Sequence, residues 1–148
     1  MRNGNVLVVE DDDTIRRLLV DFLALNAYVL VDSARDGVDA LHLISTHHYA
    51  VVLLDMMMPK MSGIDLLHSL HAKLSDPSLD PLDSRPAVIV VTATAASALP
   101  AESLEQRFPQ LVRAVFRKPA DLNELAMRVS QLLGETVPPS PQGARPTA

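Results

Sequence analysis

The sequence contains no cysteine and no tryptophan, and aromatic residues make up only 3% of its 148 residues. The absence of cysteine excludes disulfide bonds and thiol catalysis, and it fits a reducing compartment. No apolar run approaches the roughly 20 residues that a membrane-spanning helix needs. The first residues also lack the long apolar region of a signal peptide. We therefore expect a cytoplasmic protein that makes no use of a membrane.

Basic residues are scarce as well, since 13 Lys and Arg stand against 18 Asp and Glu and give a net charge of -5. No cluster of basic residues interrupts this balance, so we do not expect nucleic-acid binding by this chain alone. The hydrophobic content of 48% is sufficient for one well-packed domain. We predict that this domain occupies residues 1–134. Residues 135–148 are rich in proline and predict a disordered tail or the remnant of a linker.

Short apolar runs alternate with segments of helical periodicity along the domain. The predicted strands are residues 5–9, 28–31, 51–54, 88–91 and 114–117, and a helix is expected after each of them. Residues 75–86 hold several prolines, aspartates and serines and are predicted to form a loop. Repeated strand–helix units predict an α/β fold, a doubly wound parallel sheet with helices on both faces.

The predicted helices have recognisable starts and apolar faces. Asp12 or Asp13 can cap the first helix, and Ser62 and Asp121 begin capping-box patterns before the third and fifth helices. The expected inward faces are Ile15, Leu18, Leu19 and Phe22 in the first helix, and Val38, Leu41 and Ile44 or Leu43 in the second. The fourth helix is expected to start near residue 97 or 100 and to end at 108, before a proline.

Polar side chains stand at the C-terminal ends of four of the predicted strands. Glu10 and Asp11 follow the first strand, Asp55 the third, Thr92 the fourth and Lys118 the fifth. Each of these residues alone has an ordinary explanation, such as a helix cap or a turn. Doubly wound sheets bind their ligands outside the C-terminal ends of the strands, so the residues together predict one site.

The residue types at this predicted site indicate its chemistry. Neighbouring carboxylates repel one another by about 4 kcal/mol per pair near 4 Å, so a cation is expected among them. All the available ligands are oxygens, which favours Mg²⁺ or Mn²⁺ over zinc. A metal ion beside a lysine and a hydroxyl can receive a phosphoryl group. Asp55 would then be the nucleophile and form an acyl phosphate.

These motifs resemble the receiver domain of two-component response regulators over residues 5–133. The matching segments are Val-Val-Glu-Asp-Asp at 8–12, Leu-Leu-Asp-Met-Met-Met-Pro-Lys-Met-Ser-Gly at 53–63, Val-Thr-Ala at 91–93 and Arg-Lys-Pro at 117–119. The resemblance implies a flavodoxin-like fold with five strands in the order 2-1-3-4-5.

The resemblance also implies roles for the acidic residues. Asp55 matches the phosphoacceptor, which becomes 4-aspartylphosphate. Asp11, Asp55 and the backbone carbonyl of Met57 would bind Mg²⁺, with Glu10 acting through a water molecule. Pro59 and Gly63 match the turn that shapes the loop after the phosphoacceptor.

Further positions match the phosphoryl pocket and the switch of the family. Thr92 would turn its hydroxyl toward the phosphoryl group, and Lys118 would pair with a phosphoryl oxygen. The remaining positions of the pocket and switch are Ala93, Val115, Phe116 and Pro119. Family members usually carry Tyr or Phe three residues before the lysine, where Val115 stands here. We therefore expect an altered aromatic switch.

The leading interpretation is a signalling module that catalyses only its own phosphorylation and dephosphorylation. A sensor histidine kinase or a His-phosphotransfer protein would donate the phosphoryl group, and the sequence does not indicate the output partner. A homodimer through the fourth helix, fifth strand and fifth helix is a further expectation from the resemblance. A single-domain regulator, a phosphorelay intermediate and the receiver of a larger regulator remain open.

Two functions of a different class are less favoured. A phosphatase of the haloacid dehalogenase type also uses a strand-end aspartate with Mg²⁺, but it needs a second acid two residues later, where Met57 stands. A flavin carrier has a similar topology, but no phosphate-binding loop rich in Ser, Thr and Gly follows the first strand.

Overall fold

Strands and helices alternate along the chain in the computed structural model, which describes residues 5–27, 29–56, 58, 61–74, 86–92 and 101–136. The elements are, in chain order, β1 (Asn5–Val9), α1 (Asp13–Asn26), β2 (Leu30–Ala34), α2 (Gly37–Thr46), β3 (Val51–Asp55), α3 (Gly63–Leu74), β4 (Ala87–Thr92), α4 (Ala101–Arg107), β5 (Val112–Arg117) and α5 (Leu122–Thr136). All strand pairs are parallel, and the order is β2-β1-β3-β4-β5. The predicted doubly wound sheet is confirmed. None of the helices in these ranges has the length and apolar character needed to cross a bilayer.

The bounds of β2 were predicted wrongly. The strand begins at Leu30 and continues through Asp32 and Ser33, whereas the prediction covered residues 28–31. Because β2 lies at the edge of the sheet, its side chains are mostly exposed and the strand needs no apolar run. Tyr28, most of the predicted loop at 75–86, the expected start of the fourth helix and residues 137–148 lie outside the described residues.

Two apolar layers hold the helices against the sheet. Side chains of β1, β3 and β4 alternate between the layers, and these strands are buried on both faces. On one face they pack with α1 and α5, for example with Leu23 and Val129. On the other they pack with α2, α3 and α4, where Leu66 and Leu104 are buried. Full burial of each such side chain contributes about 1.5–3 kcal/mol, so the central strands are fixed firmly beneath the strand-end residues.

The apolar faces of α1 and α2 are narrower than the periodicity predicted. Leu19 and Leu23 are the buried residues of α1, whereas Leu18 is 52% exposed and Ile15 37%. Val38 in α2 is also 52% exposed, so its predicted inward position is wrong. Both helices carry apolar residues around more of their circumference than the sheet and the neighbouring helices cover.

Side-chain caps fix where the helices begin, as expected. Asp12 is the N-cap of α1 and accepts a hydrogen bond from the Ile15 N–H at 2.9 Å. Ser62 and Asp65 form the reciprocal pair before α3, since each side chain accepts a hydrogen bond from the other's N–H. Asp121 accepts hydrogen bonds from two N–H groups at the start of α5. The capped helices α1, α3 and α5 each follow a strand whose C-terminal end carries a predicted site residue.

A register shift in β5 decides the direction of the side chains that follow it. The shift lies opposite Val88 and Ile89 of β4 and leaves Arg113 as the additional residue. Beyond it, Val115 packs against the apolar layer that contains α4, whereas Phe116 packs against the layer that contains α1 and α5. The two residues therefore lie on opposite faces of the sheet.

Candidate functional site

The ends of β1 and β3 bring three carboxylates together. Val9 pairs with Leu54 in the register of these neighbouring strands, so Glu10 and Asp55 emerge side by side. Oxygen atoms of Glu10, Asp11 and Asp55 all lie within 4.8 Å of one another. Glu10 and Asp55 are each 3% exposed, whereas Asp11 faces solvent. The cluster is therefore closed below by the sheet and open above to solvent.

Lys118 provides the cation beside these acids. Its Nζ lies 3.4 Å from Oε1 of Glu10 and 3.4 Å from Oδ1 of Asp55. The residue follows β5 directly, its backbone N–H donates to the Thr92 carbonyl at 2.8 Å, and the peptide bond to Pro119 is cis. The end of β4 thus holds the lysine backbone, while the side chain extends across it toward β3 and β1.

The electrostatics of this cluster are unbalanced toward negative charge. Burial, and next the negative charge of Asp55, raise the pKa of Glu10 to about 7, although the Asp12 N–H and Lys118 act in the opposite direction. Burial by itself would lower the pKa of Lys118, but the charges of Asp55 and Glu10 outweigh burial and raise it. Lys118 therefore stays an ammonium group. One ammonium group faces the acids Glu10, Asp11 and Asp55, and the raised pKa of Glu10 reflects its burial and the crowding of these acids, so the site favours an additional cation.

The four consecutive acids after β1 have separate tasks. Asp12 caps α1, and Asp13 forms an ion pair with Arg16 one helical turn later. Arg16 also donates to the backbone carbonyl of Glu10 at 3.0 Å. Among these acids, Glu10 and Asp11 are the ones that join the Asp55 cluster. The run has four acids because two of them, Glu10 and Asp11, belong to the site, while Asp12 caps the helix and Asp13 forms the ion pair.

The other predicted positions are partly brought to the cluster. Thr92 is 7% exposed and directly follows Val91, the register partner of Asp55. Pro119 is exposed beside Lys118, and Val115 and Phe116 lie further along β5 on opposite faces of the sheet. Met57, Pro59 and Ala93 lie outside the described residues. The structure thus assembles the acids, the lysine and the threonine, and it separates Phe116 from the face of Val115.

The segment after Asp55 is closed by backbone contacts. The Met56 N–H donates to the Val91 carbonyl at 3.3 Å, and the Gly63 N–H donates to the Met56 carbonyl at 3.1 Å. A Cβ at Gly63 would lie 2.7 Å from Cα of Met56 and 3.1 Å from the carbonyl oxygen of Asp55. Glycine at the start of α3 therefore permits the chain to return close to the end of β3.

Carboxylates, a lysine and a hydroxyl-bearing residue at the C-terminal edge of a doubly wound sheet define a phosphoacceptor domain. The sequence model of the response regulator receiver domain matches residues 6–130. The chain therefore belongs to the receiver domain family of response regulators, as its motifs indicated.

Individual relatives agree with this assignment. The chain is 33% identical over 136 residues to the response regulator MprA from a Mycobacterium species (strain KMS), a match that covers 90% of this chain and 52% of the relative. It is 33% identical over 131 residues to the regulatory protein AtoC of Escherichia coli (strain K12), covering 88% of this chain and 25% of that protein. The chain thus spans between a quarter and about half of these curated relatives.

A solved structure of a Francisella response regulator receiver domain superimposes with a TM-score of 0.73 and 28% identity. It covers 90% of this chain and 99% of the solved one. The family membership gives the chain a phosphoacceptor signalling role, and Asp55 lies in the corresponding site. The haloacid dehalogenase and flavin-carrier alternatives are set aside.

Proposed function

We propose that Asp55 accepts a phosphoryl group from the phosphohistidine of a sensor kinase or a His-phosphotransfer protein. A carboxylate oxygen of Asp55 attacks phosphorus, the P–N bond breaks, and its electron pair returns to the imidazole of the donor. The observation that carries this proposal is Lys118 Nζ, placed 3.4 Å from both Asp55 Oδ1 and Glu10 Oε1. A cation held there can pair with a phosphoryl oxygen as soon as the acyl phosphate forms.

The acidic cluster fits a small hard cation. Opposite ligands of an octahedral Mg²⁺ are about 4.2 Å apart, since each bond is roughly 2.1 Å. The oxygens of Glu10, Asp11 and Asp55 lie within 4.8 Å of one another. A small movement of these side chains, or one bridging water molecule, would therefore bring the ligands to the spacing that Mg²⁺ requires. We assign direct ligation to Asp11 and Asp55, a water-mediated contact to Glu10, and a backbone carbonyl to Met57. Mg²⁺ or Mn²⁺ would screen the negative charge that otherwise opposes the approach of a phosphoryl group.

The phosphoryl group would change the contacts of Lys118 and Thr92. Phosphorylation replaces one carboxylate charge by a group of about −2, which attracts the Lys118 ammonium more strongly than Glu10 does. The Thr92 hydroxyl would donate to another phosphoryl oxygen, with Ala93 and Pro119 bordering the pocket. These movements would pass along β4 and β5 toward α4, so the reaction serves as a switch rather than as turnover of a separate substrate.

The proposed output surface is formed by α4, β5 and α5. A groove of about 670 Å³ runs along it and is lined by Glu105, Val115, Phe116 and Met127, among others. Met127 is 67% exposed there. We assign this surface to an output partner or to a second copy of the chain. The chain would act as a single-domain regulator, as a phosphorelay intermediate, or as the receiver of a longer regulator.

The proposal is tested with Mg²⁺ and acetyl phosphate as a small phosphoryl donor. The expected product is a phosphoryl adduct that is stable in acid and labile in base. Asp55→Asn should abolish it, whereas Asp21→Asn, at an exposed position on α1, should leave it unchanged. An adduct that persists in Asp55→Asn, or no adduct in the wild-type chain, would refute the proposal.

A further inference from the structure

Gly37, the first residue of α2, lies directly against Met61 in the segment between β3 and α3. A Cβ at Gly37 would stand 2.7 Å from Cβ of Met61 and 2.7 Å from its carbonyl oxygen. Atoms at these distances overlap, and one of the two contacts is with backbone, which cannot rotate away. Gly37 is buried, so any larger residue there must displace either α2 or the Met61 segment.

The helix is the less movable of the two partners. Asp36 caps α2 through the Asp39 N–H at 2.8 Å, which fixes the position of its first turn. Ala40, one turn further on, is 0% exposed within the layer of β1 and β3 side chains. Withdrawal of α2 would open a void beneath Ala40, whereas Met61 is only partly buried. A side chain at Gly37 would therefore push Met61 outward.

A displacement of Met61 reaches the phosphoacceptor through two close contacts. Gly63 follows two residues after Met61, and its N–H donates to the Met56 carbonyl at 3.1 Å. The Cβ position of Gly63 lies 3.1 Å from the carbonyl oxygen of Asp55. Closely packed segments transmit such shifts because they have no free space to absorb them. Gly37, Met61, Gly63 and Asp55 thus form a continuous line of contact from α2 to the site.

We propose that Gly37 is a positioning residue for phosphoryl transfer: by admitting Met61 against α2, it fixes Asp55 relative to Glu10 and Lys118. The inference rests on the proposed function, because it concerns the same acceptor. Reactions of this type depend on alignment, and a misplacement of about 1 Å can reduce a rate by about 100-fold. The lysine distance of 3.4 Å to Asp55 is the part of the geometry that such a movement would change.

The test compares initial phosphorylation rates by acetyl phosphate at saturating Mg²⁺, per folded molecule, at a temperature well below unfolding. Gly37→Ala is expected to reduce the rate about tenfold or more. Gly134→Ala is the matched control, because a Cβ at Gly134 in α5 would have nothing within 4 Å. It should retain the wild-type rate. Mg²⁺ affinity, measured by calorimetry, is expected to weaken in Gly37→Ala and to keep the wild-type value in Gly134→Ala.

A second control separates positioning from a general loss of stability. Ala40→Gly weakens the same helix without adding an atom against Met61, and it should lower the unfolding temperature while keeping the rate. Met61→Ala leaves Gly37 unchanged and removes the support from the other side, so its rate should fall several-fold even where Gly37→Ala fails to fold. A wild-type rate in Gly37→Ala, or in Met61→Ala, or an equal loss in Ala40→Gly, would overturn the inference. The proposed function is judged separately, by labelling of the wild-type chain and its loss in Asp55→Asn.

Discussion

The ammonium nitrogen of Lys118 lies 3.4 Å from Oδ1 of Asp55, although the two residues are at the ends of strands separated by β4. The same nitrogen is 3.4 Å from Oε1 of Glu10. Lys118 is thus the counterion of two buried acids in the absence of a phosphoryl group. The position allows it to exchange one of these acids for the phosphoryl oxygens without a long movement.

Replacing Lys118 by methionine should separate metal binding from phosphorylation. The ammonium group repels a divalent cation in the adjacent cluster, so its removal should tighten Mg²⁺ binding by roughly tenfold, or ~1.4 kcal/mol. The rate of phosphorylation should nevertheless fall, because the phosphoryl oxygens lose their cation. Calorimetry with Mg²⁺ and labelling by acetyl phosphate measure the two effects. Lys73→Met on α3 is the control, since Lys73 contacts Ser45 away from the site. Weaker Mg²⁺ binding in Lys118→Met would contradict the assigned arrangement.

Adjacent acids after β1 should respond differently to substitution. Asp12→Ala removes the cap of α1 and should lower the free energy of unfolding by about 1 kcal/mol, with Mg²⁺ affinity nearly unchanged. Asp11→Ala should weaken Mg²⁺ binding by about tenfold or more, because it removes an anionic ligand that the cluster needs. Urea unfolding and calorimetry on both variants test this division. Asp12→Asn, which retains a cap acceptor, should restore stability. Equal losses of metal affinity in Asp11→Ala and Asp12→Ala would contradict the assignment of metal binding to Asp11 and of helix capping to Asp12.

Much of the fold and of the site could be predicted from strand ends. Apolar runs that finish in Glu10, Asp55 or Thr92 are visible in the sequence because the central strands β1, β3 and β4 are buried on both faces and admit polar residues only where they end. The edge strand β2 has no such signal. Asp32 and the other exposed residues of β2 belong to the strand because their backbone pairs with β1, not because their side chains are buried. The bounds of β2 were therefore predicted wrongly.

Contacts between distant segments could not be predicted in this way. The close approach of Gly37 to Met61 depends on the distance between a helix and a loop, and the sequence predicted only that a helix follows the second strand. Val115 and Phe116 are consecutive and therefore lie on opposite faces of the sheet in any register, but which face each one takes depends on the additional residue Arg113 in β5, which periodicity does not reveal. Such features arise from how elements pack and pair, and they appear only once the elements are placed.

Thr92 and Val115 should contribute unequally to the response to phosphorylation. Val115 packs in the layer that contains α4 and pairs with Val90, but it has no polar atom to follow the phosphoryl group. Phe116 cannot replace the usual aromatic residue without crossing to the other face of the sheet. Thr92→Ala should therefore abolish most of the phosphorylation-dependent NMR shift changes along α4 and β5, whereas Val115→Ala should retain most of them. Equal losses in the two variants would show that Val115 takes part in the switch.

Tyr49 joins the start of β3 to the edge strand, and its contribution should depend on pH. The ring is 4% exposed, and its hydroxyl donates to Oδ2 of Asp32 at 2.6 Å. Tyr49→Phe keeps the buried ring and loses this hydrogen bond, so the free energy of unfolding should fall by about 1 kcal/mol near neutral pH.

Burial first, and then the hydrogen bond to Asp32 and its charge, raise the pKa of Tyr49 above its usual value of 10.0. Above that value the unfolded chain loses the Tyr49 proton while the folded chain keeps it, so wild-type stability should decline with rising pH. Tyr49→Phe lacks this decline. At pH 11, one unit above 10.0, the wild-type loss of stability is about 1.4 kcal/mol. Urea unfolding of both proteins near pH 8 and near pH 11 should therefore show a difference that disappears or reverses at the higher pH, and a constant difference would indicate that the hydroxyl does not hold its proton in this way.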